Sequence, residues 1–338
     1  MATAVQIVVT PGSGDGRALD VARHVHRGLH AQGYAASLLT FRELDQLKLW
    51  TKTCDATFSY LVAIGGDTTL SEAAAAAARL SVPFAPVPGG FGNLFTGAFE
   101  HPREPDDVVD LLGRGDVLWA DVGVARHRLF LSHESFGFLA RIQDTVERVH
   151  RHPRQRYLRL LTYYRMAAKR MTDTSLDSIQ VEVDGHLVAD RAALVTVANV
   201  ETYRGFLSLT PAASPVDGFF DICIIPRTTR RRVLAQLIKV MLELPGCRDE
   251  IGLYRGRRVS VRVNRRQPEE VRMMVGALPL LVPVGSLERL EARRAAAEAA
   301  APVVMLLPPE RVVPVHVPGQ ARALRARSRP PAEVAGAR

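Results

Sequence analysis

The 338 residues carry 44 Lys and Arg against 35 Asp and Glu, a formal charge of +9, with 47% apolar side chains. That is chain enough for two ordinary domains with separate cores, and the basic excess suits anionic partners such as nucleotides or a membrane surface. Three scattered cysteines argue against a disulfide framework or a zinc ribbon, and no apolar run reaches the ~18 residues of a membrane span.

The N-terminus lacks the basic-then-apolar layout of a signal peptide. The expectation is a cytoplasmic protein with, at most, peripheral membrane contact. In chain order, "AVQIVVT" predicts a buried strand, and "ALDVARHVHRGLHAQG" a helix with Leu19, Val21, Ala22, Val25 and Leu29 at helical spacing and Gly33 as its stop. "YAASLLT" is a second strand, "FRELDQLKLWTKT" a second helix and "FSYLVAIGG" a third strand. An alanine-rich helix and the strand "VPFAPVP" follow. Apolar strands alternating with helices predict a doubly wound parallel α/β domain over residues 1–120.

From about Ala120 the pattern changes to strand pairs. "DSIQVEVDGHLVADRAALVTVANV" alternates around an Asp-Gly hairpin signal, and "FFDICIIP" and "RRVSVRVN" are further strands. Helices are expected at "PRQRYLRLLTYYRMAAKRM" and "TRRRVLAQLIKVMLEL". The expectation is a β-sandwich-like domain over 121–287, a helical return segment over 288–307, and a disordered tail rich in Arg, Pro and Ala over 308–338.

Three glycine-bearing turns close the parallel strands: "TPGSGDGR", "GGDTT" and "PGGFGN". Ligands of open parallel sheets collect at such carboxyl ends, where glycine allows close backbone approach and helix N-termini face phosphate oxygens. Asp67 suits a ribose hydroxyl or a metal-bound water, and Thr68 and Thr69 suit phosphate. Neither the dinucleotide fingerprint nor the Walker motif is present. Basic stretches occur at "RVHRHPRQRYLRLLTYYRMAAKRM", at "RTTRRRV" and in the tail at Arg322, Arg325, Arg327 and Arg329. They fit anionic headgroups or simply a solvated helix face. No nucleic-acid reading module accompanies them, so no nucleic-acid partner is expected.

Taken together these segments resemble the diacylglycerol kinase catalytic-domain superfamily, which includes bacterial lipid kinases and sphingosine kinases and is distantly similar to NAD kinases. "TPGSGDGRA", "GGDTTLSE" and "PGGFGNLF" resemble its nucleotide motifs. "LFLSHESFGFLARI" and "TPAASPVDGFFDICII" resemble segments of its β-domain. The resemblance implies an ATP- and Mg2+-dependent transfer of phosphate to a lipid hydroxyl, diacylglycerol-like. It implies an ATP site of Gly12, Ser13, Gly14, Thr40, Gly65, Gly66, Asp67, Thr68, Thr69, Glu72, Gly90, Gly92 and Asn93. It also implies a magnesium on Ser214, Asp217 and the Phe219 carbonyl. A non-catalytic nucleotide or lipid sensor, and an NAD-kinase-like enzyme, are the other readings. The oligomeric state stays open, a homodimer included.

The pattern departs from the family at three places. Thr68 stands where glycine is usual, and Phe91 where threonine is usual. The Asp-Gly-Glu triplet associated with the family's base aligns with Val275-Gly276-Ala277, and neither valine nor alanine accepts a proton. Glu269 and Glu270 lie too far upstream to take its place. The expectation is that any transfer is slow and that ATP binding outlasts catalysis, with Asp67 left as the acid of the nucleotide site.

Overall fold

Strand β1 (Ala4–Val9) buries Val5, Ile7, Val8 and Val9, as a central parallel strand covered on both faces must. It pairs in parallel with β2 (Ala35–Thr40) on one side and β3 (Tyr60–Gly65) on the other, and β3 pairs in parallel with β4 (Phe84–Pro88). The order β2-β1-β3-β4 changes direction between β1 and β3, the switch point where loops leave neighbouring strands on opposite sides. A computed structural model describes residues 2–12, 16–90, 92–137, 140, 176–201, 208–242, 244, 246–248, 250–300 and 305–306.

The helices of this half are α1 (Ala18–Ala31), α2 (Leu44–Thr53), α3 (Asp67–Leu80), α4 (Leu94–Ala98) and α5 (Pro105–Arg114). Side chains of period two send Val62 and Ile64 to one face of β3, against α1 and α5, and Leu61 and Ala63 to the other, against α3. At Gly28 α1 comes so close to α5 that an added Cβ would lie 2.9 Å from Val109 Cγ2. The short α4 and the helix α5 are absent from the elements expected above. "PDDVVDLLGR" nevertheless carries helix signals: Pro105 at the start, two acids in the first turn, and Val108, Val109, Leu111 and Leu112 buried.

The second half comprises β5 (Asp116–Ala125), β6 (Arg128–Phe130), β7 (His133–Gly137), β8 (Ile179–Val183), β9 (His186–Ala198), β10 (Phe220–Pro226), α6 (Arg230–Met241), β11 (Gly252–Gly256), β12 (Arg258–Val263), β13 (Glu269–Val282), α7 (Ser286–Ala300) and β14 (Met305–Leu306). Asp184 and Gly185, at φ 47° and 83°, make the tight β8–β9 turn that the Asp-Gly pair predicts. Ile222 and Ile224 face an inner cluster with Phe130, Phe136 and Phe220, while Cys223 and Ile225 face α6 through Val233 and Val240. This is a β-rich domain beside a parallel α/β domain.

The two halves share strands. β5 runs across residue 120, and β13 pairs with β12 and β5 before its end reaches β4 at Leu280↔Phe84. Helix α7 then returns to the first half, where Arg289 Nε donates to Glu100 Oε2 at 2.8 Å and Arg293 Nη1 to Glu100 Oε1 at 3.0 Å. Residues 1–307 pack as one unit; the tail from 308 onward and the expected helix "PRQRYLRLLTYYRMAAKRM" lie outside the described residues. Among the described residues no helix is long and apolar enough to cross a membrane.

Candidate functional site

The register brings the glycine turns to one sheet edge, because Val9 is level with both Thr40 and Ile64, and Gly65 with Pro88. Gly89 N donates to Gly65 O at 2.8 Å, tying the third turn to the second. The cap of α3 is Gly66, which has no side chain to cover the helix N-terminus. Thr69 Oγ1 donates to Thr10 Oγ1 at 3.3 Å, which links α3 to the turn after β1.

Close backbone approach explains the glycines. A Cβ on Gly90 would sit 2.5 Å from Gly66 Cα, one on Gly92 2.7 Å from Asp67 Oδ2, and one on Gly65 2.7 Å from Thr69 Cβ. Asn93, at φ 48°, bridges its own turn: Gly90 N donates to its Oδ1 at 3.0 Å, and its Nδ2 donates to Gly90 O at 2.7 Å. Asp67 Oδ1 accepts the Leu94 N–H at 3.1 Å. Burial pushes the Asp67 carboxyl above its usual range, and the Leu94 amide at the start of α4 pulls against that shift.

Gly65, Gly66, Asp67, Thr69, Gly90, Gly92 and Asn93 thus form one connected group. Thr68 is half-buried on the first turn of α3, and Thr40 is exposed at the end of β2. A Cβ on Gly12 would meet nothing within 4 Å. Ser13, Gly14 and Phe91 lie outside the described residues. Glu72 is directed elsewhere, 3.6 Å from Arg128 Nε on β6. Gly90→Ala is expected to destabilise the fold by about 1–3 kcal/mol through overpacking against backbone, while Gly66→Ala, whose Cβ would lie 3.5 Å from Gly90 Cα, is expected to be mild. Urea unfolding of the two variants checks the difference.

A second cluster surrounds Asp121, which sequence reasoning missed. Its signal is an acid inside the apolar strand run "LWADVGVA". Met274 is level with Val122 and Leu278 with Ala120, so Val275, Gly276 and Ala277 bulge opposite Asp121 alone. Asp121, only 2% exposed, accepts Gly276 N on Oδ1 at 2.7 Å and Gly218 N on Oδ2 at 2.6 Å. Burial raises its pKa against those two amides. The triplet aligned with the family's acids is therefore a bulge pinned by a buried carboxylate, and Val275 on it is 56% exposed.

The predicted metal ligands have other partners. Asp217 Oδ1 accepts Phe219 N at 2.9 Å, while Oδ2 meets Arg255 Nη2 and lies 3.1 Å from Arg294 Nη1. Ser214 is buried, and the Phe219 ring lies under Arg257 at 4.6 Å. Asp221 Oδ2 is 3.6 Å from Arg255 Nε, and Glu298 accepts Arg294 Nε at 2.9 Å. Two guanidiniums face three acids here, and both Asp217 oxygens already have protein partners, Phe219 N on one and the two guanidiniums on the other. Among the described residues no group of three or more His, Cys, Asp or Glu could hold a metal ion. The residues present do not fit magnesium at this loop.

Burial pushes Asp221 up to about 7, with Arg294 lowering and Glu298 raising it. Because the folded pKa exceeds the unfolded value of about 4, the stability this group contributes is complete in acid and lost as pH rises through 7. Asp221→Asn, which cannot ionise, is expected to gain on the parent by up to about 4 kcal/mol from pH 4 to pH 9. Unfolding midpoints of both proteins across that range test the sign.

The fold and this edge define a protein class: a parallel α/β domain with a glycine-lined strand-end site, continued into a β-rich domain. Residues 4–125 match the family model described as Diacylglycerol kinase catalytic domain, and residues 133–283 the one described as YegS C-terminal NAD kinase beta sandwich-like domain. Taken in order, the chain carries a diacylglycerol kinase catalytic domain followed by a YegS-type C-terminal domain. A diacylglycerol kinase of Staphylococcus aureus is 23% identical over 221 residues, 63% of this chain and 66% of that protein. An uncharacterized protein of Synechocystis is 25% identical over 172 residues, 51% of this chain and 39% of its own length. The chain thus spans between about two fifths and just under two thirds of these curated relatives. The crystal structure of a diacylglycerol kinase from Bacillus anthracis shares the fold, with TM-score 0.64, 19% identity, and coverage of 83% of this chain and 97% of that one.

Proposed function

We propose that the chain binds ATP at the edge formed by the turns after β1, β3 and β4 and transfers its γ-phosphoryl group slowly to a lipid hydroxyl. The observation that carries this is the connected group of Gly65, Gly66, Asp67, Gly90, Gly92 and Asn93, in which Cβ atoms added at Gly65, Gly90 and Gly92 would collide with Thr69, Gly66 and Asp67. Backbone so bare, next to a helix N-terminus, suits the phosphates of a nucleotide. The match to a kinase catalytic domain supplies the reaction class. In the transfer, the hydroxyl oxygen attacks the γ-phosphorus, the bridging oxygen leaves with ADP, and the hydroxyl proton passes to solvent water, because Val275 and Ala277 accept none. Asp67 holds the third turn through the Leu94 amide and is a positioning residue in this reading. When bound with ATP, magnesium would supply charge neutralisation at the phosphates; the Asp217 loop does not fit it.

A non-catalytic ATP or lipid binder is the second reading, favoured by the absence of a proton acceptor at Val275 and Ala277. A melting shift with ATP·Mg, weakened in Asp67→Asn (which keeps an acceptor for Leu94 N), is expected for the kinase and for an ATP binder, not for a binder of lipid alone. Incubation with labelled ATP, extracted lipids and NAD separates them. Label in the lipid phase supports the proposal, label in NADP supports an NAD-kinase-like enzyme, and a shift without transfer supports the binder. No shift at millimolar ATP would overturn the nucleotide site itself.

A further inference from the structure

Five arginines from three separate stretches of chain line one concavity of about 860 Å3 in the β-rich half: Arg191, Arg227, Arg262, Arg265 and Arg266. Among the described residues the one acid in its lining is Asp190, 3.8 Å from Arg191. Arg262 Nη1 donates to Gln180 Oε1 at 3.0 Å and Arg227 Nε to the Leu176 carbonyl at 3.4 Å, contacts that orient the side chains without neutralising them. Arg265 and Arg266 have no acidic partner among the described residues. Like charges gathered on a concave wall reinforce one another's potential, so the excess here is strongest inside the hollow.

The rim is built at a conformational cost. Between β12 and β13, Asn264 and Arg265 adopt φ 50° and 61°. Asparagine tolerates that region, but in such a turn glycine ordinarily follows it, and a long side chain there is strained. The turn is firmly held: Ser178 N donates to Asn264 Oδ1 at 2.9 Å, Asn264 N to Ser178 O at 2.9 Å, and Asn264 Nδ2 to Asp177 Oδ1. Arg126 and His127, between β5 and β6, adopt nearly the same pair of positive φ values, so what sets this rim apart is its charge rather than its backbone.

We propose that this concavity is a binding site for a phosphate-bearing anion. Guanidinium forks match phosphate oxygens in pairs, and the volume falls in the range of small-ligand sites while the lining is polar, so the recognised part is the anion. The site is independent of the ATP edge and of lipid phosphorylation. A soluble oligophosphate and the headgroup of an anionic phospholipid present the same chemistry, and the test distinguishes them.

The intact chain, Arg265→Glu/Arg266→Glu and Arg265→Gly are compared with sodium tripolyphosphate by melting shift and with phosphatidylglycerol and phosphatidylcholine vesicles by flotation. The expected result is at least a tenfold loss of apparent tripolyphosphate affinity in the double variant, steeply salt-dependent in the parent, with any share due to the glycine turns surviving. Flotation with phosphatidylglycerol but not phosphatidylcholine, lost in the double variant, assigns a headgroup; a tripolyphosphate response alone assigns a soluble ligand. Arg265→Gly should melt no lower than the parent yet bind more weakly, which keeps the test decisive if the double variant folds poorly. Equal responses in parent and variants, no response to either probe, or retention of duplex RNA in preference to both would overturn the proposal.

Discussion

Val275→Asp is expected to raise phosphoryl transfer to a lipid hydroxyl by about 10²-fold, at the lower end of what a positioned proton acceptor supplies. The bulge at Val275-Gly276-Ala277 is held by Asp121 through the Gly276 amide, so a carboxylate at 275 would enter a backbone already fixed. Val275 is exposed and can be made charged at little cost to the fold, whereas Ala277 packs against the core cluster that also contains Leu70 and Phe95. The nearby acids are poor substitutes. Glu269 accepts Arg126 Nε, and hydrogen bonds from Arg258 and Arg272 hold Glu270 below the usual carboxylate range. Turnover with labelled ATP and dispersed diacylglycerol checks this, with KM for ATP expected to stay unchanged because the nucleotide turns are on other strands. Brisk transfer by the parent, indifferent to Glu269→Gln and Glu270→Gln, would sink the argument.

Chelation is expected to leave the melting temperature of the ATP-free chain unchanged, while Arg255→Ala should destabilise it by about 3–5 kcal/mol. Arg255 lies between Asp217 and Asp221, all three largely buried, and its removal takes a cation away from the ionised Asp217 in a medium that penalises unpaired charge. Arg294, reaching the same Asp217 oxygen from α7, compensates only in part. In Arg255→Ala/Arg294→Ala the loop regains an unpartnered carboxylate, and millimolar Mg2+ should then raise the melting temperature. A drop on adding EDTA to the unmodified chain would show that a metal, and not the arginine pair, balances this loop. Magnesium that travels with ATP is a separate matter and does not enter this measurement.

What the sequence determined by itself is what local chemistry determines. Short apolar runs such as "AVQIVV", rich in β-branched residues and followed by glycines, favour buried strands, and the Asp184-Gly185 pair favours a tight hairpin. The clustering of glycines after β1, β3 and β4 marked the candidate strand-end site, and the absence of an acid on either side of Gly276 was legible in one triplet. What only the tertiary structure decided are the partners of charged side chains, which depend on residues far away along the chain. Asp121 meets Gly276 across 155 positions, and Asp217 meets Arg255 across 38. Glu72, read with the nucleotide turns, faces Arg128 because β6 packs beside α3. Period and turn propensity are properties of a few neighbouring residues. Which cation neutralises which carboxylate is set by how strands separated by a hundred residues come to lie side by side.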